Sequence, residues 1–236
     1  PCVVRKVLLA FLALSAVPPI HAKTRTKELL SAFASAKDAE RPRLAYALAR
    51  TQERKAVDVL LIAFDIKRGD PRASAVYVEA LGLSADPRAA ARLAEAWDYL
   101  RSLILQLGEL PPHLQVIRWK ILESLGRLDG EQAISILSTA LNDKDSRVVE
   151  EAVRGLGRLK IKEAVPGLQQ LAGTGEGASL RQAVFEALGE IGDRRALSTL
   201  EQAQSGADKF VEVQAAYALA KLGSKDMVPR LESFLN

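Results

Sequence analysis

Six phrases ending in Leu-Ala or Leu-Gly recur along this 236-residue chain, with leucines at Leu48, Leu81, Leu125, Leu156, Leu188 and Leu219. The spacings are 33, 44, 31, 32 and 31 residues, and twelve residues after each leucine stands another, at Leu60, Leu93, Leu137, Leu168, Leu200 and Leu231. Two further columns are apolar throughout: Leu44, Tyr77, Ile121, Ala152, Val184 and Ala215 precede the first leucines by four, and Val57, Ala90, Ile134, Val165, Leu197 and Val228 precede the second by three. Apolar residues three and four apart share one face of an α-helix, so each period predicts a pair of amphipathic helices. One such pair is too small to bury its own face, whereas stacked pairs make a continuous core whose ends must be capped. A content of 48% hydrophobic but only 5% aromatic residues fits helices and argues against a strand-built sandwich.

The predicted fold is therefore all-α, an α-solenoid of about six helix pairs over residues 40–236. The repeats fall at about 40–70, 71–112, 113–143, 144–175, 176–206 and 207–236, after a capping helix in residues 23–39, about thirteen helices in all. Gly82, Gly126, Gly157, Gly189 and Gly223, with Asp86, Asp129 and Asp193, read as the turn after each first helix. Pro166 and Pro229 sit where a second helix begins and a missing N–H costs nothing. At the C-terminus, Leu231, Phe234 and Leu235 form an apolar face that leaves room for a neighbouring module.

Residues 1–22 read as a secretory signal peptide: Arg5 and Lys6 precede the apolar run Val7 to Val17, and the small Ala22 suits cleavage. The expected location is exported, periplasmic or secreted, with no stable membrane insertion after cleavage, because an apolar run this short cannot span a ~30 Å hydrocarbon core. The formal charge of +4 divides into +2 in residues 1–22, +5 in 23–72 and −3 in 73–236, so no basic stripe for nucleic acid runs along the repeats. Arg41, Arg43, Arg50, Arg54 and Lys55 make only the N-terminal end basic.

The phrases Asn142-Asp143-Lys144-Asp145-Ser146-Arg147-Val148, Ala152-Val153-Arg154-Gly155-Leu156-Gly157 and Ala164-Val165-Pro166-Gly167-Leu168 resemble HEAT repeats of the short, phycobilisome-lyase-like type. The resemblance covers roughly residues 40–236 and implies the solenoid fold. It leaves function open, because such solenoids serve lyases, hydroxylases, DNA glycosylases and pure scaffolds. Hydroxylases of this type hold iron with His-Glu pairs, which this sequence lacks, and the signal peptide argues against a cytosolic phycobilin lyase.

Repeats one and two lack the Asp-x-Arg-Val phrase, and the 44-residue spacing inserts about a dozen residues near 97–116. The insertion reads as a second helix prolonged to about Leu107, then a loop at Pro111 and Pro112. Its extra stripe of Leu100, Leu103, Ile104 and Leu107 is expected to fold back over the apolar second helix of repeat one, the other reading being an exposed groove for a partner.

Signals for chemistry are few. His113 is the one histidine after the predicted cleavage, Cys2 lies within the signal, and Gly173 to Gly177 lacks the strand and Lys-Ser that a phosphate loop needs. No catalytic residue, cofactor or metal site is predicted. The expected function is a non-enzymatic scaffold that binds another protein on a concave face lined by second helices, through Leu61, Ile62, Glu95, Ser138, Thr139, Gln169, Gln170, Glu201 and Gln202. Trp97, Tyr99 and Trp119 are candidate lid or anchor residues. The alternative is a lyase- or glycosylase-type enzyme with a pocket near Trp97, Asp98 and Trp119. A deep pocket with a carboxylate of raised pKa favours the enzyme, a shallow polar trough the scaffold.

Overall fold

A computed structural model describes residues 19–236 apart from 38–39, 174–176, 205–208, 225–226, 228, 230–231 and 233–236. Among them are twelve α-helices and no strand. A first helix, α1 (Pro19–Ser35), is followed by α2 (Arg41–Thr51) and α3 (Arg54–Ala63), α4 (Pro71–Leu83) and α5 (Pro87–Leu107), α6 (Pro112–Leu125) and α7 (Glu131–Ala140). The chain continues through α8 (Ser146–Arg158) and α9 (Val165–Gly173), α10 (Ala178–Ile191) and α11 (Leu197–Gln204), and α12 (Lys209–Lys221). The signal peptide read in residues 1–22 lies outside the described residues as far as residue 18, and the Leu231, Phe234 and Leu235 face lies wholly outside them. No helix among the described residues is long and apolar enough to cross a membrane.

The two leucine columns are the spine of the core. Leu48, Leu81, Leu125, Leu156 and Leu188, and Leu60, Leu93, Leu137, Leu168 and Leu200, are fully buried, each burial contributing roughly 1.5–3 kcal/mol over exposure. The even-numbered helices α2 to α12 form one layer, each packed on the next, with α1 capping α2. The odd-numbered helices form the other, where direct contact between neighbours is chiefly α3 with α5 and α5 with α7.

Glycines set the difference between the layers. Gly82, Gly126, Gly157 and Gly189 do not make the turns that their spacing suggests; they lie inside or at the end of the even helices, against the neighbouring helix. A Cβ on Gly126 would stand 2.5 Å from the Gly155 Cα, one on Gly157 2.7 Å from the Ala187 Cα, and one on Gly82 2.6 Å from the Ser124 Cβ. Backbones that approach this closely give the even layer the shorter spacing. The closely spaced even helices are called the inner layer and the odd helices the outer one. The left-handed turn comes later, at Gln52, Ala85, Lys160, Gly192 and Gly223, all with φ between 53° and 94°.

Aspartates then start the next helix. Asp70, Asp86 and Asp145 accept backbone N–H bonds at the starts of α4, α5 and α8, and Asp193 does so before α11. Two of these are followed two residues later by an arginine that ties adjacent outer helices together: Arg88 bonds Asp86 and reaches the Arg54 carbonyl at 3.5 Å, and Arg195 bonds Asp193 and reaches the Lys162 carbonyl at 2.9 Å.

The insertion departs from the sequence expectation. Helix α5 is unbroken for 21 residues, and an unbroken helix cannot double back over α3. Leu100 is buried and Leu103 and Ile104 half-buried, but Leu105 and Leu107 are 89% and 60% exposed, and Ile62 on α3 is 83% exposed. Gly108, at φ 82°, closes the helix by donating to the Ile104 carbonyl at 2.8 Å.

Candidate functional site

The end of α5, the start of α6 and the α7–α8 loop enclose a groove of about 980 Å³, at the upper end of the size typical of small-molecule sites. One side is apolar: Ile104, Leu105, Leu110, Val116 and the indole of Trp119. Asp145 fixes that indole, accepting from its Nε1 at 3.1 Å and also from the Gln115 amide, while its other oxygen caps α8 through the Arg147 N–H at 2.9 Å. The Arg147 guanidinium lies 4.3 Å from the Trp119 ring centroid. The floor is Arg118, buried, bonded to Asp143 and stacked 4.9 Å over the Trp97 ring. At the rims stand Arg101, whose distance to Asp98 is 4.0 Å, and Lys144, which is exposed and makes no ion pair.

A second concavity opens on the inner layer, a trough of about 510 Å³ walled by Glu123, Ser146, Arg147, Glu150, Glu151, Arg154, Arg158 and Ser179. Burial raises the pKa of the Glu151 carboxyl, and the nearby Glu123 adds to the shift. Burial likewise lowers the pKa of the Arg158 guanidinium. Up the same face, Tyr46 donates to Glu79, which also pairs with Lys120. Burial and Glu123 raise the Tyr46 phenol above its ordinary value. A third cleft, of about 980 Å³, separates α7 from α9 in the outer layer. Among the described residues no three His, Cys, Asp or Glu side chains stand together as a metal would need.

The residues singled out by sequence divide among these places. Leu61, Ile62, Glu95, Ser138, Thr139, Gln169, Gln170, Glu201 and Gln202 all lie on the odd helices, the second of each pair and the more widely spaced layer. Ser138 and Gln170 meet in the α7–α9 cleft, whereas Leu61 packs on the core and Gln169 is spent tying α9 to the Arg195 carbonyl at 3.1 Å and the Thr199 hydroxyl at 2.7 Å. Of the predicted enzyme pocket only Trp119 lines a groove. Trp97 is buried beneath Arg118, Asp98 is exposed beside the rim residue Arg101, 4.0 Å away, without lining the groove itself, and Tyr99 covers another recess with Lys67 5.3 Å from its ring centroid. Sequence reasoning missed Arg118, Asp143 and Asp145 because an isolated arginine within a helix and aspartates in a loop before one read as solvated. The Asp-x-Arg phrase two residues after Asp143 was the available signal.

Residues 114–188 and 176–236 match the family model described as HEAT repeats, together just over half of the chain. A curated relative, the bilin biosynthesis protein PecE of Mastigocladus laminosus, is 34% identical over 118 residues, 47% of this chain and 44% of that protein, so the match spans less than half of the relative's length. The solved complex of CpcE and CpcF of phycocyanin lyase from Nostoc sp. PCC7120 superimposes with a TM-score of 0.51 at 22% identity, over 88% of this chain and 80% of the other, a likeness of fold. The similarity to a bilin biosynthesis protein overturns the expectation of a purely non-catalytic scaffold and turns the balance to the enzyme reading.

Proposed function

Because the chain belongs to the HEAT-repeat family, and shares 34% identity with a bilin biosynthesis protein where the two align, we propose that it is a lyase-type component acting on a linear tetrapyrrole. The groove beside Trp119 is the observation that carries this reading. A bilin is a flat conjugated chain of apolar rings bearing two propionates. The strip of Ile104, Leu105 and Val116 and the fixed indole offer it an apolar bed and a stacking face, and Arg101 and Lys144 offer a cation at each rim for a carboxylate. Asp143 and Asp145 are already engaged with Arg118, Trp119 and Gln115, and the exposed Glu109 on the same lining balances one of the two rim cations.

The solved relative is a complex of two proteins, which supports a protein partner for this chain as well. Export directed by residues 1–22 is a separate proposal, under which the tetrapyrrole would be met outside the cytosol, and mass spectrometry of the N-terminus of the chain recovered from cells tests it.

Biliverdin serves as the probe for the groove. Titrating it with the purified chain should shift and sharpen its long-wavelength absorption band and quench tryptophan fluorescence. Trp119→Ala and the double variant Arg101→Glu plus Lys144→Glu should each lose most of that response. An absorption change identical in all three proteins would contradict the assignment.

A further inference from the structure

Ala56, Ala89, Ala133, Ala164 and Ala196 are buried at the same place near the start of each outer helix and put the repeats in register. The residue just before this alanine is Arg88 at the α3–α5 joint and Arg195 at the α9–α11 joint. Each is held by an aspartate two positions earlier, and each donates to a backbone carbonyl near the start of the preceding outer helix. At the α7–α9 joint the same three positions read Ile161-Lys162-Glu163, so isoleucine stands for the aspartate and glutamate for the arginine. A second tie is missing as well. Arg92 of α5 donates to the Phe64 carbonyl at 2.7 Å, and its counterpart in α9 is Gly167, which has no side chain to send across. Helices α7 and α9 accordingly have little direct contact, and the cleft of about 980 Å³ between them stays open.

We infer that the α7–α9 cleft is a binding site for a small organic cation, a guanidinium or primary ammonium on an apolar body, which supplies the charge that Arg88 and Arg195 supply at the other two joints. The cleft has the volume of a small-molecule site. Its floor is apolar, formed by Ile134, Leu141, Val149 and Leu171, and among the described residues no lysine or arginine lines it. Glu131 and Glu163 at the rim are exposed and form no ion pair, whereas Asp143 is taken by Arg118. Arg195 is near enough to act on Glu163, but its guanidinium is already bonded to Asp193 and the Lys162 carbonyl. The ligand's cation meets the two rim glutamates through charge-assisted hydrogen bonds, and its apolar body covers the floor. A pigment bearing carboxylates is disfavoured by the same rim, so the site is separate from the Trp119 groove and stands whether or not that groove takes a bilin.

The probe is phenethylguanidine, titrated into the full chain and followed by amide chemical shifts. Phenethylurea, nearly the same shape without the charge, and phenylpropionate, the same ring on an anion, are the controls. The guanidine should shift the amides of residues 131–142 and 161–171, the urea should bind ~tenfold or more weakly, and the propionate should leave those amides unmoved. Glu131→Gln combined with Glu163→Gln should remove the preference for guanidine over urea, and Gly167→Leu should fill the cleft and lose both. Glu163→Arg places a tethered guanidinium in the joint, so it should lose the free guanidine while melting at or above the temperature of the parent. No shift in those amides, equal binding of the urea or the propionate, or undiminished guanidine binding in Glu163→Arg would each overturn the inference. So would movement of the same amides on dilution of the ligand-free chain, which would put a second copy of the chain in the cleft.

Discussion

Asp143 and Glu151 show how one carboxylate is held by a directly bonded cation and another, half-buried, is not. Asp143 holds Arg118, whose side chain is 6% exposed, and accepts from the Asp145 N–H at 2.9 Å. Asp143→Ala would leave a buried guanidinium unpaired, and urea unfolding should show a loss of roughly 3–5 kcal/mol. Glu151→Gln has the opposite sign. Burial raises the folded pKa of Glu151 above its ordinary 4.5, so the charged form destabilises the fold and stability falls as pH rises through that interval. The variant should therefore melt higher than the parent at pH 7, with the gap closing in acid below the ordinary carboxylate range. At Ala85, φ is 53°, a conformation that disfavours any Cβ, so Ala85→Gly should raise stability by up to about 1 kcal/mol.

At the scale of elements, what the sequence made legible was periodicity. Leu48 to Leu219 and Leu60 to Leu200 could be read as buried because the 3.6-residue repeat needs no tertiary knowledge, and the long α5 was legible down to its end at Leu107. The difference in spacing between the two layers was not read, although the signal was present: each first-helix leucine is flanked on both sides by a small residue, as in Ser124-Leu125-Gly126 and Gly155-Leu156-Gly157. Small residues on both sides of a buried leucine mean a helix approached closely by neighbours before and after it, which is the closely spaced layer. Gly126→Ala tests this, since its Cβ would meet backbone at 2.5 Å, and it should cost about 1–3 kcal/mol. Gly155→Ala should cost less, because its nearest obstacle at 2.8 Å is the movable Leu137 side chain.

Over the whole molecule, the same aspartate device recurs from repeat to repeat, and acid should undo it. Hydrogen bonding from Arg195 depresses Asp193 to about 2, below its ordinary 3.8, and Asp86 is lowered in the same way by Arg88. A depressed carboxylate contributes its full stability above the unfolded pKa and loses it as pH falls through the folded one, so melting temperature should drop between pH 4 and 2, less steeply in the Asp86→Asn, Asp193→Asn double variant. The candidate site was legible only in part: Trp119 stood out as an aromatic just beyond the inserted region, but the groove is assembled from α5, α6 and a loop that the sequence does not bring together. Its occupant is the central claim. A crystal structure of the chain grown with biliverdin should show the tetrapyrrole against the Trp119 indole between Leu105 and Val116, its propionates toward Arg101 and Lys144. Density for the pigment in the α7–α9 cleft or the inner trough, with the Trp119 groove empty, would contradict the account.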